Sequence, residues 1–151
     1  MLTFTTGNLF DAKVDDLVNP VNTVGVMGKG LALQFKKTYP ANTRAYEAAC
    51  KMGELRIGEM FTFDLGEGKV PRYIVNFPTK EHWRSPSKLV YVEKGLVALV
   101  ELVRSHAIRS LAVPALGAGL GGLAWTDVKP VVERAFGQLE EVDVRVFEPV
   151  G

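Results

Sequence analysis

Two glycine-rich stretches hold the residues of this sequence whose types and spacing suit chemistry, and that chemistry is anion binding. The first runs from Leu17 to Ala32 and contains Asn19, Asn22, Gly25, Gly28, Lys29 and Gly30. It reads as a strand that passes two asparagines, turns through glycines and enters a helix. A helix start leaves its first N–H groups unpaired, and those donors favour a phosphate. Gly25, Gly28 and Gly30 permit positive φ and let a ligand approach backbone that a side chain would block. Asn19 and Asn22 each bring a donor and an acceptor, and both read as substrate contacts. The second stretch, Gly117 to Gly122, leaves the short apolar run Leu111–Pro114.

The second stretch has the G-x-G-x-x-G spacing of a dinucleotide-binding loop, yet its context differs. That fingerprint opens the first strand–helix–strand unit of its fold, and further parallel strands follow. Here only one helix and one strand remain, and the acid needed for a ribose could only be Glu140 or Glu141, ahead of the last strand. Nor is Gly25–Gly30 a Walker loop, because the spacing is too short and no Ser or Thr follows Lys29. What remains is two glycine loops, each leaving a strand and each preceding a helix. Together they suit a diphosphate between two sugars, wrapped by backbone N–H groups. His82 and His106 are the only histidines, so a serine–histidine–aspartate triad or a zinc site lacks material. His106 ends a helical run, where a cation interacts favourably with the dipole.

The elements that must position these loops alternate between strand and helix. Leu2–Thr6 reads as a strand and Asn8–Asp11 as a loop, and Leu17–Asn19 is a short buried strand. Lys29–Tyr39 has helical periodicity and Pro40 stops it. Asn42 is then expected to cap a second helix that ends at Gly53. Glu59–Leu65 and Arg72–Phe77 read as strands around the turn at Gly66–Gly68, and Pro78–Ser87 reads as a polar loop. Pro86 suits the first position of a long helix reaching His106. Thr126 and Asp127 open a last helix, and Val142–Phe147 is the last strand. This order predicts an α/β fold with a mixed, largely parallel sheet and helices on both faces.

Composition bounds the rest. A chain of 151 residues, 47% hydrophobic and 23% charged, fits one domain over 1–151 with a sizeable core. Its net charge of +1 gives no global field, so any contact with nucleic acid must be local. A single cysteine, Cys50, excludes an internal disulfide, fits a reducing compartment and reads as a buried structural thiol. No basic-then-apolar leader and no bilayer-length apolar run occur, so a cytoplasmic protein without a membrane partner is expected. Trp125, between a glycine loop and a helix start, reads as core. His82, Trp83 and Arg84 read as nucleic-acid candidates, able to stack on a base and pair a phosphate.

Four segments carry a family resemblance: Thr6–Leu9, Val18–Asn22, Gly25–Gly30 and Pro114–Leu123. Over nearly the whole chain they resemble the macrodomains, three-layer α/β/α modules that bind ADP-ribose. Gly28–Phe35 and Asn76–Lys80 are similar to a lysine-dependent branch that removes ADP-ribose from modified macromolecules. Its bacterial members include antitoxins that strip ADP-ribose from thymidine bases in single-stranded DNA.

The resemblance implies a role for each matching residue. Asn8, where many macrodomains have Asp, and Leu9 would meet adenine, with Phe147 stacking nearby. Gly28, Lys29 and Gly30, with Leu116, Gly117, Ala118, Gly119, Leu120 and Gly121, would hold the diphosphate. Asn22 would bind the distal ribose, and Lys80 would sit at its anomeric carbon as a neutral amine. The eukaryotic lysine-dependent relative carries an Asp that helps resolve its intermediate; the matching residue here is Gly121. The implied activity is an ADP-ribosyl glycohydrolase without a cofactor. Its substrate would be ADP-ribosylated single-stranded DNA and its partner a cognate DNA ADP-ribosyltransferase toxin. The rival readings are an ADP-ribose reader without catalysis, and a hydrolase of protein-linked ADP-ribose or O-acetyl-ADP-ribose.

Overall fold

The computed structural model describes residues 1–149. Six strands form one sheet: β1 (Leu2–Thr5), β2 (Asp16–Asn22), β3 (Phe61–Asp64), β4 (Tyr73–Lys80), β5 (Ser110–Val113) and β6 (Asp143–Phe147). Their spatial order is β1-β6-β5-β2-β4-β3, and every pairing is parallel except the edge pair β3–β4. Four helices cover it: α1 (Gly30–Thr38), α2 (Pro40–Lys51), α3 (Leu89–Ser105) and α4 (Trp125–Phe136). The expected mixed, largely parallel α/β sheet is therefore present.

Side chains that alternate along the central strands divide the core between two faces. On one face Val18, Val75 and Phe77 pack with Leu96 and Leu99 of α3 and Val128 and Val132 of α4. On the other, Leu17 and Ile74 pack with Phe35 of α1, and Val21 packs with Tyr46 and Ala49 of α2. α3 approaches β4 closely because Gly95 has no side chain; a Cβ there would sit 2.3 Å from the Phe77 ring. Trp125 is half-buried against this core, and its Nε1 donates to Glu148 at 2.8 Å.

Several elements run differently from the sequence expectation, for local physical reasons. β2 extends to Asn22, and β4 continues through Pro78 to Lys80, so only residues 81–88 connect β4 to α3. Pro78 is tolerated because it lies where the β2–β4 register shifts, next to an irregular ladder. Pro86 precedes α3 instead of opening it, and Lys88 is the N-cap. Pro40 ends α1, which closes at Thr38 with Tyr39 as its C-cap, and it also opens α2 at the first position, where its missing N–H costs nothing.

Asn42 is consequently inside α2 rather than at its cap. Its side chain is buried and accepts from Nδ2 of Asn76 at 2.8 Å. Leu9–Asp11 is a 3-10 turn rather than a loop, with the Asn8 side chain accepting from the Phe10 N–H at 3.0 Å. α4 opens at Trp125, one residue ahead of Thr126. Cys50 is only half-buried, against the expectation of a buried thiol. His106 does follow the last turn of α3, where its ring packs 5.7 Å from that of Tyr73.

Candidate functional site

The carboxyl ends of the parallel strands open into a cleft of about 860 Å³. Ligands bind at this edge in open α/β sheets, and the volume suits a nucleotide-sized molecule. Asn22 ends β2, Lys80 ends β4, Pro114 follows β5 and Phe147 ends β6, and all four line the cleft.

The first glycine loop is wound around Asn22. Its Oδ1 accepts from the backbone N–H groups of Val24 at 3.1 Å, Gly25 at 3.1 Å and Val26 at 3.2 Å. Tyr46 of α2 donates its hydroxyl to Asn22 O at 2.7 Å and lies 2.9 Å from Oδ1. Asn22 Nδ2 donates to Val26 O at 2.8 Å, which leaves one amide hydrogen for a ligand. Burial holds the Tyr46 phenol well above its ordinary pKa, so it stays a donor. Gly25 has φ +91°, and a Cβ there would meet Cys50 of α2 at 3.3 Å. Gly30 is also left-handed, whereas Gly28 is not.

Asn22 takes the N–H groups of Val24, Gly25 and Val26, so these donors are not free for a ligand, whereas those at the start of α1 are. Gly30, Leu31 and Ala32 open α1 and line the cleft, and helix geometry leaves their N–H groups free. Lys29, the N-cap residue, lines it too. Asn19 does not, contrary to expectation. It is fully buried in β2 with Nδ2 donating to Asn76 Oδ1 at 3.0 Å, because it points toward α2 inside the core. Gly28 lies outside the lining as well.

The second loop closes on itself. Gly121 N donates to Ala118 O, Gly122 N to Gly119 O and Leu123 N to Gly117 O. Gly119 and Leu120 stand at the first positions of a 3-10 turn, where N–H groups have no intrahelical acceptor. Gly117 is left-handed, with φ +74°, and a Cβ would lie 2.6 Å from Leu123. Gly117, Ala118, Gly119, Leu120 and Gly121 all line the cleft. Leu116 does not; it is fully buried in the core. The exposed Leu120 side chain reaches the other loop, since a Cβ on Gly30 would sit 2.9 Å from its Cδ1.

Lys80 stands between the two loops. Its Nζ donates to Trp83 O at 3.0 Å and lies 3.5 Å from Leu120 O. The connection after it is tied down at its first residue. Thr23 donates its N–H and hydroxyl to Glu81 O, and Tyr91 of α3 donates to the Glu81 carboxylate at 2.8 Å. Trp83 and Arg84 line the cleft and His82 does not. The Trp83 ring carries the His82 imidazole at 5.4 Å and the Arg84 guanidinium at 4.4 Å.

Beyond the ends of β1 and β6, Asn8, Leu9 and Phe147 line the opposite end of the cleft. Sequence reasoning missed several lining residues, among them Gln34, Val26, Thr79 and Ala115. Gln34 had a signal: it follows Gly30 by four positions, one helical turn along the same face. Among the described residues, Lys29, Lys80 and Arg84 are the charged ones of the lining, and no carboxylate accompanies them. With the free N–H groups of two loops, these cations make the part of the cleft around both loops and Lys80 positive.

The Macro domain family model matches residues 18–132. The DNA ADP-ribosyl glycohydrolase of Thermus aquaticus is 55% identical over 150 residues, covering 99% of this chain. The chain spans 42% of that relative's length. The macrodomain of Mycobacterium tuberculosis DarG superposes with a TM-score of 0.97 at 52% identity, with 99% of each chain covered. Thermosipho africanus DarTG in complex with ADP-ribose superposes with a TM-score of 0.91 at 38% identity, over 99% of this chain and 42% of its own.

Proposed function

The chain belongs to the Macro domain family, and from that premise we propose that it removes ADP-ribose from thymidine bases of single-stranded DNA. The observation that carries the reading is the lining of the cleft. Two sets of free backbone N–H groups and three cations line it without an opposing carboxylate among the described residues, and one cation, Lys80, ends the strand beside Asn22. A diphosphate supplies the negative charge those groups lack. Asn8, Leu9 and Phe147 would take the adenine end, and Gly30, Gly119 and Leu120 the phosphates. Asn22 would offer its remaining amide hydrogen to the distal ribose.

Cleavage breaks the bond between the anomeric carbon and a base nitrogen. A lysine attacks only as a neutral amine, so Lys80 gives up a proton first. Its nitrogen bonds to the anomeric carbon while the electron pair of the broken bond leaves with the base, which takes up the proton that the newly bonded nitrogen sheds. The opened sugar forms a Schiff base with Lys80, and water then releases ADP-ribose. Lys80 Nζ donates to Trp83 O and Leu120 O, and both contacts must yield for attack. With Gly121 in place of an Asp, release relies on water, a substrate phosphate or another side chain. The rival mechanism keeps Lys80 unbonded, orienting water or protonating the departing base.

Arg84 and Trp83 extend the cleft toward the polymer, with Arg84 for a phosphate and the exposed part of Trp83 for a base. His82 covers the Trp83 ring. A relative also supports a DNA ADP-ribosyltransferase as partner: the DNA ADP-ribosyl transferase-DNA ADP-ribosyl glycohydrolase fusion protein of Thermosipho africanus. A cytoplasmic location fits this reading. Among the described residues no helix is long and apolar enough to cross a membrane.

The reading is tested by incubating the protein with ADP-ribosylated thymidine in a single-stranded oligonucleotide and with glutamate-linked ADP-ribosyl protein. Free ADP-ribose is expected from the oligonucleotide. Release from the protein alone would move the substrate to protein, and tight ADP-ribose binding without release from either would make the domain a reader.

A further inference from the structure

Residue 87 joins the two halves of the site without entering it. Ser87 is 5% exposed, lies between β4 and α3, and is not among the residues lining the cleft. Its Oγ donates to the carbonyl oxygen of Thr79, and its N–H donates to Gly121 O at 2.8 Å. A Cβ on Gly117 would sit 3.1 Å from Ser87 Oγ, and one on Gly121 would sit 3.2 Å from Ser87 Cβ. The second glycine loop therefore rests on this side chain at two residues and is hydrogen-bonded to its backbone.

The acceptor is the informative partner. Thr79 is the residue by which β4 exceeds β2: Val21 pairs with Pro78, and Asn22 with Lys80. An extra residue in a ladder is left unpaired, and the strand is free to bend there. The Thr79 carbonyl belongs to the same planar peptide as the Lys80 N–H, so fixing that oxygen fixes the plane from which the Lys80 side chain departs.

We propose that Ser87 is a positioning residue, which locks the Thr79–Lys80 peptide to the second glycine loop so that a bound diphosphate and the amine keep one fixed relation. The proposal rests on the reading of Lys80 as the attacking group. Ser87 touches neither the phosphates nor the sugar in this scheme. Its loss acts on the reaction step and spares ligand affinity, the signature of an orientation effect.

The test is single-turnover and steady-state cleavage of the ADP-ribosylated oligonucleotide by wild type, Ser87→Ala and Ser87→Cys, with ADP-ribose Kd measured for each. Ser87→Ala is expected to lower kcat by about 10- to 100-fold, in line with a misplacement of up to about 1 Å, and to change Kd by less than about 3-fold. Ser87→Cys, which keeps the bulk and a weak donor, is expected to fall between. If the alanine variant does not fold, the cysteine variant carries the same comparison of kcat with Kd. Wild-type kcat in the folded variants, or a loss of affinity that matches the loss of turnover, overturns the proposal. A wild-type protein that binds ADP-ribose but cleaves nothing removes the glycohydrolase reading itself, and this role with it.

Discussion

Asn22 and Lys80 are register partners at the ends of neighbouring parallel strands, and Thr79 is the extra residue that makes them so. In an unbroken ladder Thr79 would stand opposite Asn22 and Lys80 would fall one residue beyond the pair. The irregularity sets the two residues beside each other on neighbouring strands, and both line the cleft. Strands lie about 4.8 Å apart, a spacing that one ribose can bridge.

Asn22 is first a scaffold. Replacing it with Ala strips the acceptor from three backbone N–H groups and leaves the Tyr46 hydroxyl one partner short. Asn22→Ala is expected to cost about 2 kcal/mol or more of stability and to weaken ADP-ribose binding with it. Tyr46→Phe, which leaves the three N–H bonds intact, should cost about 1 kcal/mol. Urea denaturation and calorimetry check both; an Asn22→Ala protein of wild-type stability would mean the turn holds without its acceptor.

Asp16 predicts the pH dependence of stability. The start of β2 buries its carboxyl, Oδ1 has no hydrogen-bond partner, and burial with Asp15 alongside raises its pKa from 3.8 to about 7. Between those values the folded state holds a proton that the unfolded state has lost, so stability falls as pH rises. The loss is at most about 1.4 kcal/mol per pH unit, and it stops above about pH 7. Asp16→Asn should remove this component, so the gap between variant and wild type widens from pH 4 to pH 7 in denaturant titrations. Parallel pH profiles would refute it.

Trp83 separates polymer from ligand. Trp83→Ala should slow cleavage of the oligonucleotide by the equivalent of about 1–3 kcal/mol while leaving free ADP-ribose affinity nearly unchanged. Equal loss on both would instead mean that Trp83 is structural.

The architecture was legible where residues repeat a local rule. Alternation and apolar runs located all six strands, and glycines after β2 and β5 marked both loops. What the sequence concealed depends on partners far along the chain. Asn19 and Asn22 look equivalent, yet α2 decides their fates: Asn42 draws Asn76 and Asn19 into the core, and Tyr46 anchors Asn22 at the cleft. Leu116 sits inside a glycine-rich run and still turns into the core. Pro78 read as the start of a loop because proline breaks ladders, and only the register shift lets the strand run on to Lys80.

The covalent route leaves a trace that the rival mechanism does not. Cyanoborohydride present during turnover should reduce the Schiff base and leave an ADP-ribose-derived adduct on Lys80, found by peptide mapping. Active turnover with no adduct would favour Lys80 acting without a bond.

In the proposed mechanism Lys80 performs the cleavage in a cleft that binds ADP-ribose through the protein's own groups. The direct measurement is release of ADP-ribose from the ADP-ribosylated oligonucleotide by wild type and Lys80→Ala, with ADP-ribose affinity of both determined by calorimetry in EDTA. The expected result is turnover by wild type, none by the variant, and binding by both in the presence of the chelator. Full activity of Lys80→Ala would contradict the account.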